Sequence, residues 1–462
     1  MTQANIIEII VGADVVVHYP PIMTSSFERL KDKLTIEIDG IPKEYFKQEH
    51  GGTIRIPRGM IAEVYNIIEW FKNKQIPVDI RGEDRTNYPE FPVNIVPGHK
   101  PYPFQKEAVD ALLASDHCHG GLKAPTGSGK TNIAAYLIAA LKTNTLIIVP
   151  TTSLVKQTIE RMKSILTINP SDIGAFASGK KEIRHITVAT WQTAYRNIDT
   201  LKERFGLVIA DEYHKTADNY YNIINTVNAR YKFGLSATPF RANDQAVLKF
   251  AVGPITHRVN IEDLYKDIFL VRPTICMIYT GFDFSEENIF TQWQQINFGP
   301  MQKQGVLKSK IATDEERNQF INQYITALST RRNIILTFTR EHAEVLYDMC
   351  PRPGKVLTHG GFPKKQRDAT LAACNSNADF LLFSTQSLLS EGVDIPSLET
   401  LFIASPYSGK GKTIQTSGRV LRKDPKNPDK RVTIFDFCDD GMERATQARR
   451  SHYRQINAII KC

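Results

Sequence analysis

The chain has 462 residues, of which 42% are hydrophobic and 23% charged, a length that suggests about three domains, each able to bury its own core. The longest apolar runs are strand-sized, which excludes a membrane-spanning helix, and Glu8 and Asp14 interrupt the segment where an export signal needs an apolar core. Six cysteines without a CxxC pair exclude a disulfide scaffold, and free thiols in a reducing, cytoplasmic compartment are expected. The net charge of +9 fits a polyanionic partner. Its distribution says more: residues 1–95 carry 11 basic and 14 acidic side chains, leaving +12 for the remainder.

Residues 1–95 mix short β-branched runs (14–18, 34–38, 53–56) with one stretch, 61–74, whose apolar residues at 61, 64, 65, 67, 68 and 71 have helical spacing. They predict a small α+β domain without a chemical motif of its own. A stretch rich in proline (Pro89, Pro92, Pro97, Pro101, Pro103) reads as a linker. His117-Cys118-His119 has no second ligand cluster, so it is read as a loop and not as a zinc site.

Over 96–255 the pattern becomes strands alternating with helices, with short apolar runs at 145–149, 186–189, 207–210 and 233–235. Each run ends at a motif. The alternation predicts a parallel sheet covered by helices, with ligands at the carboxyl ends of its strands. Residues 256–325 are less regular and read as a bridge. A second alternating series fills 326–462, with runs at 333–338, 355–357, 380–383, 400–403 and 432–435.

Ala124-Pro125-Thr126-Gly127-Ser128-Gly129-Lys130-Thr131 has the composition of a phosphate loop. Small residues let backbone N–H groups face a phosphate, and a following helix N-terminus favours the anion. Lys130 is expected on the outer phosphates and the Thr131 hydroxyl on Mg²⁺. Asp211 and Glu212 end an apolar run; Asp211 is expected to hold the metal and Glu212 to activate water. Much later, Arg419 and Arg422 stand three apart, as a phosphate clamp on one helix face. Gly409-Lys410-Gly411-Lys412-Thr413 is not read as a second phosphate loop, because Pro406 occupies its first position.

Taken in order, these blocks resemble the superfamily 2 helicases over residues 100–440. Tyr102, Phe104 and Gln105 are similar to the adenine-reading motif, although the usual upstream arginine is absent. Thr151 and Thr152, then Thr190 and Gln192, are similar to strand-binding motifs; so are Thr339 with Arg340, His359, and Ser384 with Thr385. Ser236 and Thr238 are similar to the motif that couples the ATP site to the nucleic-acid track. Gly392 and Asp394 resemble the motif on the nucleotide side of the second domain, and Gln415 to Arg422 the arginine motif. His214 is expected to reach Gln415 and report nucleotide state.

The resemblance implies an α/β fold: two tandem RecA-like parallel-sheet domains preceded by a small α+β domain. It implies ATP and Mg²⁺, with Lys130, Glu212, Gln415, Arg419 and Arg422 catalytic. Thr190-Trp191-Gln192-Thr193 and Gln415 to Lys423 most resemble the phage UvsW-type branch-migration helicases, with RecG-like activity. That implies a monomer acting on forked and four-way-junction DNA, in a bacterial host cytoplasm if the protein is of phage origin, with residues 1–95 in branched-DNA recognition. A double-stranded DNA translocase, an RNA helicase without junction activity and an ATP-gated clamp share the motifs and stay open. Trp191 is read as a core residue ahead of one that stacks on a base or wedges a junction, since Val188 and Ala189 lead into it. Deletion of residues 1–95 is expected to spare the ATPase.

Overall fold

A computed structural model describes residues 5–38, 41–213, 217–237, 244–266, 269–376, 379–387, 395–406, 420–424 and 427–461. The chain divides into two compact units, Met1–Asn260 and Ile261–Cys462. The bridge expected over 256–325 falls mostly within the second.

The first unit opens with β1 (Asn5–Val11), β2 (Val15–His18), α1 (Thr24–Lys33), β3 (Thr35–Ile38), β4 (Ile41–Glu44), β5 (Lys47–Glu49), β6 (Thr53–Ile56), α2 (Ile61–Asn73) and β7 (Val78–Asp84). Five of these strands form a sheet in the order β5-β6-β2-β1-β7, while β3 and β4 form a separate pair. Alternation sets the buried face: Ile7, Ile9, Val15, Val17, Ile54 and Ile56 point one way and meet Phe27 and Leu30 of α1 and Ile61, Val64 and Ile68 of α2.

Next come α3 (Pro103–Leu113), β8 (His119–Lys123), α4 (Lys130–Leu141), β9 (Thr145–Val149), α5 (Thr152–Ile165), β10 (Ile173–Ala177), β11 (Lys180–Lys181), β12 (Ile186–Thr190), α6 (Trp191–Arg196), α7 (Ile198–Leu201), β13 (Leu207–Asp211), α8 (Ala217–Thr226), β14 (Tyr231–Ser236), α9 (Asp244–Val252) and β15 (Ile255–Arg258). Their sheet has the order β11-β10-β12-β9-β13-β14-β8-β15. It is parallel except where β11 pairs with β10. The central strands β9 and β12 are buried throughout, which is why they read as unbroken apolar runs.

Parallel register brings the motifs to one edge. Asp211 lies opposite Leu235, Ser236 opposite Lys123, and Thr190 opposite Val149.

The two sheets of this unit share one core. Residues of the amino-terminal sheet and its helices join Tyr213, Tyr220, Ile223, Ile224, Val247 and Phe250 in a single apolar cluster. Arg58, 3% exposed, donates to the carbonyls of Ala229 and Arg230, each at 2.6 Å. Lys232, fully buried, donates to the Ala13 carbonyl at 2.6 Å. A Cβ on Gly59 would overlap the carbonyl oxygens of Lys249 and Phe250, so only glycine allows that approach.

The proline-rich stretch is therefore no free linker. Phe91 and Val93 are buried, Phe91 N donates to Lys142 O at 2.8 Å and Asn144 N to Pro89 O at 3.0 Å. Proline removes donors but leaves carbonyls, and these strap the stretch to the parallel sheet's amino edge. His117-Cys118-His119 also differs from a plain loop. His117 stacks on Tyr65 with centroids 4.8 Å apart, and His119 begins β8, where burial lowers its pKa to about 4.

The second unit contains α10 (Ile261–Lys266), β16 (Pro273–Asp283), α11 (Glu286–Ile289), α12 (Gln292–Asn297), α13 (Pro300–Thr313), α14 (Glu315–Leu328), β17 (Arg332–Thr337), α15 (Arg340–Met349), β18 (Lys355–Thr358), α16 (Lys364–Ser376), β19 (Phe380–Thr385), β20 (Thr400–Ile403), β21 (Val432–Asp440), α17 (Glu443–Gln455) and β22 (Ile459–Lys461). Among the described residues its seven strands are all parallel, in the order β18-β19-β17-β20-β21-β16-β22. The segment read as a bridge thus contributes β16, which lies between β21 and β22.

Among the described residues, two ion pairs are wholly buried here: Arg317 to Asp439 at 2.8 Å and Arg449 to Asp436 at 2.8 Å. Tyr453 and Thr280 add hydroxyl donors to the same carboxylates. Shared hydrogen bonds of this kind let a buried pair offset its desolvation.

Candidate nucleotide and nucleic-acid site

The loop from Ala124 to Gly129 links β8 to α4 at the carboxyl edge of the first parallel sheet. Gly127 and Gly129 adopt positive φ values of 89° and 75°, which turn backbone donors inward. Gln105, fully buried in α3, braces this loop. Its Nε2 donates to Ser128 O at 3.0 Å while its Oε1 accepts from Tyr102 N at 3.2 Å. A Cβ at Gly129 would come within 2.6 Å of that Nε2. The resemblance implies Gln105 on a base edge, whereas both ends of its amide are engaged below the loop. Tyr102 is 41% exposed beside it, whereas Phe104 is buried at 2%.

Three motif side chains converge on one point. Lys130 Nζ lies 3.1 Å from Glu212 Oε1, and Ser236 Oγ donates to Glu212 Oε2 at 3.4 Å. Lys130 and Glu212 are largely shielded, with side-chain exposures of 10% and 13%, so their attraction is screened less than a surface pair's. Glu212 has φ of 49°, a strained conformation for a residue with a side chain. Its N–H donates to Leu235 O at 2.8 Å, which ties the metal-and-water box to β14.

These residues fit a nucleoside triphosphate with a divalent metal. Among the described residues no partner meets the buried hydroxyls of Thr126 and Ser128, and such groups are costly to leave unpaired. Phosphate oxygens supply acceptors for both. Thr131 and Asp211 line one small recess with Lys130, a hydroxyl and a carboxylate suited to Mg²⁺.

The expected nucleic-acid residues divide by unit. Thr151 caps α5, its Oγ1 accepting from Leu154 N at 3.4 Å; Thr152 and Gln192 are exposed, and Thr190 is 5% exposed with its hydroxyl donating to Thr193. Trp191 is partly buried against the core. In the second unit, Thr339 caps α15 through His342 N at 3.2 Å and Arg340 is exposed. His359 is 5% exposed and contacts Glu344 at 3.0 Å. Ser384 and Thr385, at 1% and 3%, lie at the end of β19. Arg422 bridges Leu270, and Lys430 Nζ donates to its carbonyl at 2.7 Å. His214, Thr238, Gly392, Asp394, Gln415 and Arg419 lie outside the described residues.

Two polar arrangements were not legible in the sequence. Tyr220 OH donates to the Asp211 carbonyl at 3.0 Å. His342 bonds Ser405 Oγ at 3.0 Å and Asn318 Oδ1 at 2.9 Å, while Phe338 N donates to the same Ser405 oxygen at 3.0 Å. Burial lowers the His342 pKa to about 3. A lone tyrosine or histidine in a helix carries no sequence signature of such a partner.

The first half of the motor matches the family model "Type III restriction enzyme, res subunit" over residues 98–241, and the second the "Helicase conserved C-terminal domain" over residues 316–424. The chain is similar to the DNA 3'-5' translocase XPB2 of Sulfurisphaera tokodaii, 26% identical over 377 residues that cover 75% of this chain and 83% of that one. It is also similar to the ATP-dependent DNA helicase uvsW of Enterobacteria phage T4, 24% identical over 477 residues that cover 95% and 92%. The fold resembles the Pyrococcus furiosus Hef helicase domain, with a TM-score of 0.51 at 16% identity over 76% of this chain and 98% of that one. With its phosphate loop, carboxylate box and second parallel sheet in this order, the chain belongs to the superfamily 2 helicases, ATP-dependent motors on nucleic acid.

Proposed function

We propose that the protein is an ATP-dependent DNA helicase or translocase that unwinds or branch-migrates forked and four-way-junction DNA in replication, recombination and repair. The observation that carries this reading is the Lys130–Glu212–Ser236 cluster beneath the phosphate loop. It lies on the same sheet edge as Thr151 and Thr190. Hydrolysis and strand contact thus share one row of strand ends. Similarity along nearly the whole chain to a phage protein named as a DNA helicase supports DNA as the track.

In this reading Lys130 and the loop N–H groups bind the phosphates, Thr131 and Asp211 hold Mg²⁺, and Glu212 takes a proton from the attacking water. Arg419 and Arg422, with Gln415, serve as an arginine clamp on the transferring phosphate. An arginine clamp of this kind is worth roughly 10³ to 10⁵ in rate. His214 and Thr238 couple nucleotide state to the track with Ser236; Gly392 and Asp394 serve the nucleotide side. Thr151, Thr152, Thr190, Gln192, Thr339, Arg340, His359, Ser384 and Thr385 meet phosphates, so loading depends on DNA shape and not on sequence. Residues 1–95 read the branch, 96–255 form the first motor domain, the second takes in β16 together with 326–462, and the protein acts as a monomer in the cytoplasm. Among the described residues no helix is long and apolar enough to cross a membrane.

A second reading, a duplex translocase without junction activity, is favoured by the likeness to a protein named as a DNA 3'-5' translocase. ATPase stimulation by forked DNA, linear duplex and RNA separates the two. Preference for forks, with strand displacement, is the expected result. Equal stimulation by linear duplex without displacement selects the second reading, and stimulation by RNA alone rejects both. Arg422→Ala is expected to abolish hydrolysis while leaving the fold intact; near-normal turnover would remove the clamp from the assignment.

A further inference from the structure

Asp211 and Glu212 are held from behind by the helix that follows them. Tyr220 of α8 is fully buried and donates its hydroxyl to the backbone carbonyl of Asp211 at 3.0 Å. Burial, followed by the negative charges of Asp211 and Glu212, keeps the Tyr220 hydroxyl well above the usual phenol range. The bond fixes the peptide plane that leads into Glu212, whose φ of 49° would relax unless its neighbours held it. Relaxation would swing the carboxylate away from Lys130 and Ser236.

The same helix is gripped at its start by the amino-terminal part of the unit. Asp218 Oδ1 accepts from Tyr45 OH at 2.9 Å and from Lys43 Nζ at 2.8 Å. The Tyr45 ring, 4% exposed, meets Tyr221 edge-on at 4.9 Å and Phe250 of α9 at 5.2 Å. α8 and α9 are the helices that follow β13 and β14, the strands carrying Asp211-Glu212 and Ser236. One aromatic ring from outside the motor sheet thus touches both helices behind the catalytic strands.

We propose that Tyr220 is a positioning residue for ATP hydrolysis, holding the Asp211–Glu212 peptide in its strained form, and that Tyr45 sets α8 in place for it. The inference rests on the reading that Glu212 serves hydrolysis. It gives the amino-terminal part a role in turnover separate from DNA recognition. Spatial adjacency is not coupling, so the test must measure coupling.

Tyr220→Phe, Tyr45→Phe and the double variant are compared with wild type for kcat, KM for ATP at saturating DNA, Mg-ATP affinity and thermal midpoint. Tyr220→Phe is expected to lower kcat roughly fivefold, the rate equivalent of one hydrogen bond, at unchanged KM and ATP affinity. Tyr45→Phe is expected to lower it roughly twofold to threefold, within the same bound. The double variant is expected to be no slower than Tyr220→Phe, because both act through one helix. Wild-type kcat in Tyr220→Phe, losses that multiply in the double variant, or a loss matched by the unfolded fraction would each overturn the proposal. If Tyr220→Phe fails to fold, Asp218→Asn with Tyr45→Phe decides: a slower kcat at wild-type KM supports the proposal, and wild-type rates in both sink it. A wild-type protein without ATPase activity would reject the functional reading instead.

Discussion

The carboxyl edges of the two parallel sheets have the same architecture and opposite chemistry. In the first unit the edge carries charge under strain: Lys130 against Glu212, two glycines at positive φ, and Glu212 itself at 49°. Among the described residues of the second, the edge carries hydroxyls and a neutral histidine beside the exposed Arg340, while two charge pairs, Arg317–Asp439 and Arg449–Asp436, are wholly buried. The comparison teaches where each unit spends its polar groups. Among the described residues, the first leaves the buried hydroxyls of Thr126 and Ser128 without a protein partner; the second ties His342, Ser405 and Asn318 to one another but leaves the buried hydroxyls of Thr358 and Ser384 without one.

Four changes test that contrast, the largest effect first. Lys130→Ala is expected to abolish hydrolysis with no loss of thermal midpoint, since the partner Glu212 retains Ser236 as a donor; phosphate release and a melting curve check it. Asp436→Ala in the second unit should do the reverse. It strands Arg449 without exposure and should cost about 3–5 kcal/mol, read by denaturant unfolding. An unchanged midpoint there would mean that the core pair is not what holds the unit.

Acid sharpens the contrast next. The His342 pKa is lowered in the fold to about 3 from an ordinary value of 6.5, so the unfolded chain binds the extra proton between these values. Stability is then fully present above pH 6.5 and falls as pH drops toward 3. His342→Gln should flatten that acid limb, and an unaltered limb would show that other groups set it. The smallest effect is expected at Thr339. Removing its cap with Thr339→Ala should cost about 1 kcal/mol of stability, measured by denaturant unfolding.

The amino-terminal part corrects an expectation. Its surface charge and missing motifs suggested a detachable accessory, yet its core is continuous with the motor sheet. Deletion of residues 1–95 would strip apolar cover from Tyr220, Val247 and Phe250 and leave Lys232 without the Ala13 carbonyl. A shortened chain is therefore expected to aggregate before its ATPase can be compared. Nothing local in the sequence announced this, because the contacts join Arg58 to Ala229 and Lys232 to Ala13.

What could be read from the residues alone was whatever chemistry makes local. Glycines and a lysine within one loop, two carboxylates ending an apolar run, and buried parallel strands each carry their own pattern, because short-range sterics and burial dictate them. Tertiary structure alone decided that Gln105 braces Ser128, that Tyr220 holds Asp211, and that the proline-rich stretch is strapped along the sheet. Those bonds depend on which strand ends meet. Only the packed sheet order settles that.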